Sequence, residues 1–470
     1  TPPDADQHSA VVRACYRTRL YFKFKPDAYI PDTDDQASPV PNRAEKEEKR
    51  RQLISAGIAW LKAVLPDTRK KTTAAALSED CSEVVDILKS SYLFGNDSES
   101  HALAKMILSE AGIKNTEEIF KILVKVGIWD PNENLDLHSF RVPVEFPEEV
   151  LSNTFRLVED APGIEKTAPV SDIRKDLTGL RLLTIDGQST LDFDDALSIE
   201  NMGDHYLLGI HISDVGSLVR KGDAIDQEAL SRASSIYMPD RKIPMVPAEL
   251  SEDLCSLVAG RRRSAISTMV KITPGGKIIG SDIFPSMVTV DRQLSYSDAN
   301  MLAESDPDIS LLHTIGRMFR SKRMDNGAVH IALPDISVQV DKNAAPTVTR
   351  VDRETPARLL VSEIMILANS VTAGYLKAGG MPAVFRSQPP PRERLYQRDG
   401  GSLFQNWMQR KLLSRFVLGA RAERHDGLGL DAYVTATSPI RKYFDLVTQR
   451  QVRAVLGLET PYGEEDIAQI

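Results

Sequence analysis

The pattern of apolar and polar residues changes from helical spacing to strand spacing along the chain. Across residues 51–127 apolar residues recur three and four positions apart, as in ISAGIAWLKAVL, which is typical of amphipathic helices. From residue 180 they fall into short runs between turn residues, LRLLTID, DFDDALSIE and HYLLGIHISDV, which predict three strands of an antiparallel meander. Strands and helices mix after that. We therefore expect a mainly helical region followed by an α/β (α+β) domain with a mixed, largely antiparallel sheet.

The helical region ends in two short predicted helices. Ser98 resembles the cap of the first, which Gly112 would end, and Asn115 resembles the cap of the second, which Gly127 would end. The linker GIKN and the extended stretch IWDPNENLDLHSFRVPVEF that follows could form a helix-turn-helix with a wing-like hairpin. Helix pairs that only pack a core are more common than pairs that bind nucleic acid, so both interpretations stay open.

Composition divides the chain into three regions. The stretch PDTDDQASPVPNRAEKEEKR is rich in proline and charge and poor in large apolar residues, which predicts an N-terminal arm and linker over residues 1–50. We expect a helical, winged-helix-like domain over 51–150 and the α/β domain over 165–470. With 470 residues and 42% hydrophobic content, the chain can build two or three cores.

Several classes of protein are disfavoured by the sequence. No run of about 18 apolar residues and no basic-then-apolar leader is present, so neither a membrane protein nor a secreted protein is expected. Three isolated cysteines, Cys15, Cys81 and Cys255, without a CxxC pair, argue against a zinc site and favour a reducing, cytoplasmic environment.

The net charge of −8 speaks weakly against a nucleic-acid partner. Residues 381–454, however, hold thirteen Lys and Arg against six Asp and Glu. This local excess indicates either a solvated face or the basic wall of a channel for phosphates.

Four aspartates lie close together in DGQSTLDFDD. Asp186 ends one predicted strand, and Asp192, Asp194 and Asp195 open the next across a glycine-bearing turn, so the four carboxylates are expected to converge. Carboxylates in such proximity repel one another unless a cation lies between them, and an all-oxygen site suits Mg²⁺ or Mn²⁺. The alternatives are a polar turn whose aspartates cap backbone amides and, less favoured because the spacing is not that of an EF-hand, a calcium loop.

A second candidate segment, TATSPIRKYF, lies far along the chain. Pro439 is predicted to start a helix whose first turn carries Arg441 and Lys442, a suitable receptacle for phosphate. An ordinary exposed helix start is the alternative. An anionic metal cluster combined with a separate arginine is the equipment of a phosphodiesterase, because the transition state gains negative charge.

Five segments taken in order carry a resemblance to a known family: TIDGQSTLDFDDAL, IHISDV, SSIYMPDRKIPMVPAELSEDLCSL, EIMILAN and GLGLDAYVTATSPIRKYFDL. The chain resembles the catalytic (RNB) domain of the ribonuclease II family over roughly residues 170–455. The same domain occurs in ribonuclease R and in the hydrolytic nuclease subunit of the eukaryotic exosome. Several long motifs in one order make a chance match improbable.

The resemblance implies a 3′-to-5′ exoribonuclease that hydrolyses single-stranded RNA processively to 5′-mononucleotides with Mg²⁺, or Mn²⁺. It implies that Asp186 and Asp195 ligate the metal, whereas Asp192 and Asp194 complete a two-metal arrangement and position the attacking water. Arg441 would stabilise charge on the scissile phosphate. The residues expected to contact RNA are Tyr237, by stacking near the 3′ end, with Arg386, Lys442, Tyr443 and His330.

The chain also departs from the family pattern. His330 and Ile331 stand where a second stacking aromatic is usual, and AVFRSQPPP keeps Arg386 but replaces the usual Arg-x-His. No paired cold-shock barrels are recognisable before the catalytic domain, and the C-terminal S1-type barrel is expected to be absent from this chain. Two other functions stay open: an inactive RNA-binding or regulatory protein on the same fold, and a metal-dependent phosphodiesterase acting on DNA or a small nucleotide.

Overall fold

The computed structural model describes residues 22–25, 28–31, 43–65, 79–167, 174–340, 346–398 and 400–470, with side chains described from residue 47 except in 161–167. Cys15 and most of the predicted arm over residues 1–50 lie outside these ranges. The chain divides into two units, Thr1–Val142 and Pro143–Ile470. Each unit has a core of its own.

The first unit is mainly helical, as predicted. In the described part of this unit, a two-stranded antiparallel hairpin, which was not predicted, precedes five α-helices. The elements are β1 (Phe22–Lys25), β2 (Ala28–Pro31), α1 (Arg43–Val64), α2 (Glu79–Phe94), α3 (His101–Glu110), α4 (Glu118–Lys125) and α5 (Leu135–Ser139). Apolar faces of the helices meet in one core, at residues including Leu61, Leu88, Ile107 and Leu123.

Helices α3 and α4 are the two short helices that the sequence predicts. Gly112 ends α3 at a φ of 84°, and the Asn115 side chain accepts a hydrogen bond from the Glu117 amide at 2.9 Å. The wing-like hairpin expected in residues 128–146 is absent. Asn134 instead caps α5 by accepting from the Asp136 amide at 3.1 Å, which commits this stretch to a helix.

The second unit is built on a mixed seven-stranded sheet of order β11-β4-β5-β6-β9-β10-β3. The strands are β3 (Lys175–Asp176), β4 (Leu183–Asp186), β5 (Asp195–Asn201), β6 (Tyr206–Ser213), β9 (Arg262–Ile272), β10 (Ile278–Thr289) and β11 (Arg292–Ser295). The predicted meander β4-β5-β6 is confirmed, and its pairs are antiparallel. The edge pairs β11-β4 and β10-β3 are parallel.

Eight helices and three small two-stranded sheets complete the described part of this unit. The helices are α6 (Glu148–Thr167), α7 (Ala224–Arg232), α8 (Tyr296–Leu302), α9 (Pro307–Asp325), α10 (Pro356–Ala378), α11 (Leu403–Leu412), α12 (Tyr443–Val455) and α13 (Glu464–Gln469). Two of the small sheets are hairpins, β7 (Ile236–Tyr237) with β8 (Lys242–Ile243) and β12 (Asp335–Gln339) with β13 (Thr347–Val351). The third is an antiparallel pair of β14 (Phe385–Ser387) with β15 (Val417–Gly419), which are separated by α11. A π-helical turn covers Glu249–Leu254.

Helices α9 and α10 pack on one face of the sheet. Leu208, Ile210 and Ile212 alternate along β6 and meet Leu312 and Leu360 in this core. Helix α10 is long and apolar enough to cross a membrane by length and composition alone. Half of its apolar stretch is buried inside the unit, so the core accounts for its composition.

The opposite face of the sheet carries a buried polar chain across four strands. His211 of β6 lies 3.0 Å from the Ser198 hydroxyl and 2.7 Å from that of Ser267, which in turn lies 2.6 Å from the Ser286 hydroxyl. His211 is fully buried, and burial lowers the pKa of its imidazole to about 3. The ring is therefore neutral in the folded protein at ordinary pH.

This burial predicts a loss of stability in mild acid. The folded pKa of His211 lies below the unfolded value of 6.5, so its contribution is complete above pH 6.5 and declines as the pH falls from there towards 3. Between pH 7.5 and 5.5, the free energy of unfolding should fall by about 1 kcal/mol more in the wild type than in His211→Gln. Urea unfolding at the two pH values measures this difference. An equal fall in both proteins would contradict it.

Candidate active site

Strands β4 and β5 bring the aspartates of DGQSTLDFDD together. Asp186 is the last residue of β4 and Asp195 the first of its antiparallel neighbour β5. The expectation that Asp192 and Asp194 lie within the strand is wrong, because residues 187–194 form a turn and an irregular segment. Phe193 is anchored there by backbone bonds: its amide donates to the Ser256 hydroxyl at 2.9 Å and its carbonyl accepts from the Leu257 amide at 3.0 Å.

Asp194 is the best-held carboxylate of the four. One oxygen accepts from Nε of Arg441 at 2.7 Å and the other from the Ile440 amide at 2.9 Å. The residue is only 2% exposed, and its burial outweighs these partners, so the pKa of Asp194 rises to about 7. The structure thus brings the distant TATSPIRKYF segment to the aspartates.

Asp192 is held from a different direction. Its Oδ2 accepts from the Tyr237 hydroxyl at 2.5 Å, and its Oδ1 lies 3.7 Å from Nζ of Lys242. Lys242 also pairs with Glu252. Asp192 is therefore already engaged on both oxygens.

Within the described part of the chain, the side chains of Asp186 and Asp195 show no hydrogen bond or ion pair. Oδ2 of Asp186 is buried without a hydrogen bond. Burial, opposed by the charge of Arg441 and reinforced by that of Asp192, raises the pKa of Asp186 to about 6. Burial and the charges of Asp186 and Asp194 raise the pKa of Asp195 well above its usual value. The mutual repulsion expected from the sequence is thus present in the fold.

The TATSPIRKYF segment is a turn rather than a helix start. Helix α12 begins at Tyr443, so Arg441 and Lys442 precede its first turn, contrary to the expectation. Asp445 accepts from the Ser438 amide at 3.0 Å, and the Ser438 hydroxyl accepts from Nη2 of Arg441 at 2.9 Å. These bonds fix the guanidinium, and its Nη1 makes no hydrogen bond to a described residue.

Among the residues expected to contact RNA, Tyr237 and Lys442 lie at the cluster or beside Arg441. Tyr237 is 55% exposed although its hydroxyl is bound to Asp192, so part of this side chain is open to solvent. Lys442 is exposed. Tyr443 is a correction: it is 3% exposed and donates to Asp226 at 3.0 Å, because α12 turns this side chain into the core.

His330 and Arg386 have other partners. His330 lies 3.1 Å from Glu354, and the guanidinium of Arg386 lies 4.1 Å from the centre of the Phe416 ring. Neither shows a contact with an aspartate of the cluster within the described part of the chain. Their assignment to RNA binding stays a prediction.

Most of the Lys and Arg residues in 381–454 that form ion pairs do so away from the four aspartates. Arg441 contacts Asp194, but Arg450 and Arg453 are buried in ion pairs with Asp226 and Asp214. Others pair with carboxylates elsewhere, namely Arg398, Arg421 and Arg424. Much of this charge therefore balances acidic groups of the fold and does not line a channel.

Besides Lys242, sequence reasoning missed two further side chains, Tyr296 and Arg358, of which Tyr296 lies near the aspartates. Tyr296 follows β11, whose Ser295 lies opposite Asp186 in the parallel pair with β4. Burial, with the charges of Asp186 and Asp195, raises the pKa of Tyr296 to about 12, and the Arg358 guanidinium lies 4.3 Å from the centre of its ring. No local motif marks these residues, because only the strand order brings Tyr296 near the aspartates.

The donor set can be tested against the implied cation. Among the described residues, no three His, Cys, Asp or Glu side chains converge closely enough to coordinate a metal as they stand. Mg²⁺ in phosphate-processing sites usually takes one or two carboxylates, with substrate oxygens and water as further ligands. Asp186 and Asp195 are hard donors with no partner among the residues that the structure describes, and the Oδ2 of Asp186 is buried. The residues fit a hard divalent cation on these terms.

Comparison with known sequences assigns both units. Residues 174–457 match the RNB domain, and residues 41–135 match a double helix-turn-helix domain. An uncharacterized ribonuclease of Synechocystis is 31% identical over 96% of this chain and 67% of its own length. Ribonuclease R of Thermotoga maritima is 31% identical over 71% of this chain and 53% of its own length. The chain thus spans about half the length of the ribonuclease R relatives it matches.

Solved structures show the same fold. The Dss1 exoribonuclease of Candida glabrata, as an active site mutant, aligns with 98% of this chain and 64% of its own, at a TM-score of 0.71 and 20% identity. Mycoplasma genitalium RNase R in complex with ribose methylated single-stranded RNA aligns with 74% of this chain and 59% of its own, at a TM-score of 0.61 and 21% identity. These likenesses confirm the predicted fold class.

The repulsion within the cluster predicts that a substitution of one of its aspartates stabilises the fold. The folded pKa of Asp186 lies above its unfolded value of 3.8, so its ionised form destabilises the protein above pH 6. In EDTA at pH 8, Asp186→Asn should raise the melting temperature by a few degrees, and the gain should shrink below pH 6. Asp240→Asn, at an exposed aspartate paired with Arg241, is the control and should not raise it. A fall in the melting temperature of Asp186→Asn would contradict the account.

Proposed function

The chain belongs to the RNB-domain family, and on that premise we propose that it is a hydrolytic exoribonuclease. It degrades single-stranded RNA processively from the 3′ end and releases 5′-mononucleotides. The reaction depends on Mg²⁺, with Mn²⁺ as a substitute.

One observation carries this proposal. The Asp194–Arg441 ion pair brings the aspartate-bearing turn and the TATSPIRKYF segment, 247 positions apart, to one point. A phosphodiester placed there meets carboxylates on one side and a guanidinium on the other. Hydrolysis of a phosphate ester needs both groups, since a nucleophile must form while the phosphoryl oxygens gain charge.

Asp186 and Asp195 are the residues that would hold the divalent cation, with Asp192 and Asp194 as additional oxygen donors. When bound, the cation supplies a nucleophilic water at neutral pH and polarises the phosphoryl oxygens.

The chain's own residues orient the substrate. Arg441 is fixed by Asp194 and Ser438, which leaves Nη1 to donate to a non-bridging phosphate oxygen. The exposed part of the Tyr237 side chain stacks on a base near the 3′ end, while its hydroxyl bond to Asp192 sets the position of the ring. The terminal phosphodiester is thereby held in register with the carboxylates.

The alternative is an inactive RNA-binding protein on the same fold. Yeast Ssd1, described as a pseudonuclease, shares the fold at a TM-score of 0.53 and 20% identity. All four aspartates and Arg441 are present in this chain, which supports activity.

The central test is digestion of 5′-labelled oligo(A) with Mg²⁺ or with EDTA, beside Asp194→Asn. We expect a ladder that shortens from the 3′ end with Mg²⁺ only, and a loss of rate of at least about 100-fold in the variant, because Arg441 and the carboxylate cluster lose their link. Binding of RNA without any decay would favour the inactive alternative. Cleavage inside a circular RNA, or digestion of the RNA by Asp194→Asn at the rate of the wild type, would contradict the exonuclease proposal.

Two substitutions at Tyr237 separate stacking from hydrogen bonding. Tyr237→Phe keeps the ring and loses the bond to Asp192, whereas Tyr237→Ala loses both. If the ring stacks on a base, Tyr237→Ala should weaken RNA binding by about 5- to 100-fold and Tyr237→Phe much less. Fluorescence anisotropy with labelled oligo(A) in EDTA measures this. Equal weakening by both variants would contradict stacking.

A further inference from the structure

Two residues of the hairpin of β7 and β8 contact the Asp192 carboxylate, one at each oxygen. Tyr237 and Lys242 are directly opposite each other in this hairpin. The Tyr237 hydroxyl donates to Oδ2 of Asp192, and Nζ of Lys242 faces Oδ1 at 3.7 Å. One cross-strand pair therefore places a donor and a positive charge on a single buried carboxylate.

Lys242 is itself held in place. Its side chain is only 20% exposed, and its ammonium pairs with Glu252 on the π-helical turn as well as with Asp192. An ammonium removed from water in this way stays where carboxylates surround it. Lys242 thus bridges a member of the cluster and an acidic group outside it.

In the described part of the chain, two of the four aspartates form an ion pair with a basic side chain and two do not. Arg441 compensates Asp194, and Lys242 compensates Asp192. Asp186 and Asp195 form no ion pair among the described residues, although the charge of Arg441 acts on both and partly offsets the rise that burial causes in their pKa values. A divalent cation drawn to these two aspartates would be repelled by the Lys242 ammonium, and Asp192 could add its Oδ1 only by leaving Lys242.

We propose that Lys242 is an internal counter-cation that competes with the divalent cation for Asp192, and that Glu252 limits this competition by holding the ammonium back. The proposal rests on the proposed metal-dependent function. It makes Lys242 a positioning residue that keeps Asp192 in place when no metal is bound, at the expense of metal affinity.

Calorimetric titration of Mn²⁺ into EDTA-treated, desalted protein tests the proposal without RNA. Lys242→Met should bind Mn²⁺ about 3- to 10-fold more tightly, because a repelling charge near the site is gone. The same variant should melt at a lower temperature without metal and gain more from added Mn²⁺ than the wild type does. Lys242→Arg keeps the charge and should bind as the wild type does.

Glu252→Gln should shift the affinity in the opposite direction. With its second partner neutralised, Lys242 turns to Asp192 alone, and Mn²⁺ binding should weaken. Arg241→Met is the matched control, since Arg241 is the neighbouring residue but pairs with Asp240 at 2.9 Å and is half-exposed. It should leave Mn²⁺ affinity unchanged. Lys242→Gln replaces Lys242→Met if the latter misfolds by circular dichroism.

The outcomes separate this inference from the proposed function. If the wild type binds Mn²⁺ but Lys242→Met binds it equally well or more weakly, the proposed counter-cation role of Lys242 is wrong. The nuclease proposal is then unaffected. If no variant and no wild type binds Mn²⁺, the proposed metal requirement fails, and this inference fails with it.

Discussion

The site depends on one ion pair, between the buried Asp194 carboxylate and the partly exposed Arg441 guanidinium, which joins distant parts of the chain. Asp194 follows an irregular turn beside β5, and Arg441 lies in the turn before α12. Asp194 meets both the guanidinium and the Ile440 amide, so the contact fixes direction as well as distance. Removing one partner of such a pair leaves a buried charge without compensation. This costs far more free energy than the intact pair contributes to stability. The geometry of the other three aspartates relative to the arginine follows from this contact.

Helix α12 anchors the arginine side of the pair through buried polar groups. Arg450 pairs with Asp226, Arg453 with Asp214, and the Gln449 amide donates to the Ser213 carbonyl at the end of β6. Buried ion pairs are weak contributors to net stability. Their partners here lie at the end of β6 or on α7, so they hold α12, and with it Arg441, against the end of β6, the strand that pairs with β5. The charges that seemed from the sequence to be available for RNA are in part this internal scaffold.

Local sequence patterns predicted the helices and strands. The residues of the site were harder to predict, because several of them come together only through long-range contacts. Helical periodicity and strand runs identified α3, α4 and the β4-β5-β6 meander, because each pattern reflects one buried face. The convergence of the four aspartates followed from a hairpin connection between neighbouring strands. The positions of Tyr296 and Lys242 at the site could not be predicted. Tyr296 is placed there by the parallel pairing of β11 with β4, and Lys242 by the hairpin of the two-residue strands β7 and β8. Tyr443 was misassigned for a similar reason: the sequence shows that a helix follows Arg441 but not which side of it faces the core.

In the proposed reaction, water attacks the 3′-terminal phosphodiester at the aspartate–arginine site. Digestion of a single-stranded RNA in ¹⁸O-labelled water with Mg²⁺, followed by mass spectrometry of the released nucleotides, tests it most directly. The account predicts 5′-mononucleotides that carry one ¹⁸O atom in the phosphate. Unlabelled products, or products that end in a 3′-phosphate or a 2′,3′-cyclic phosphate, would contradict it.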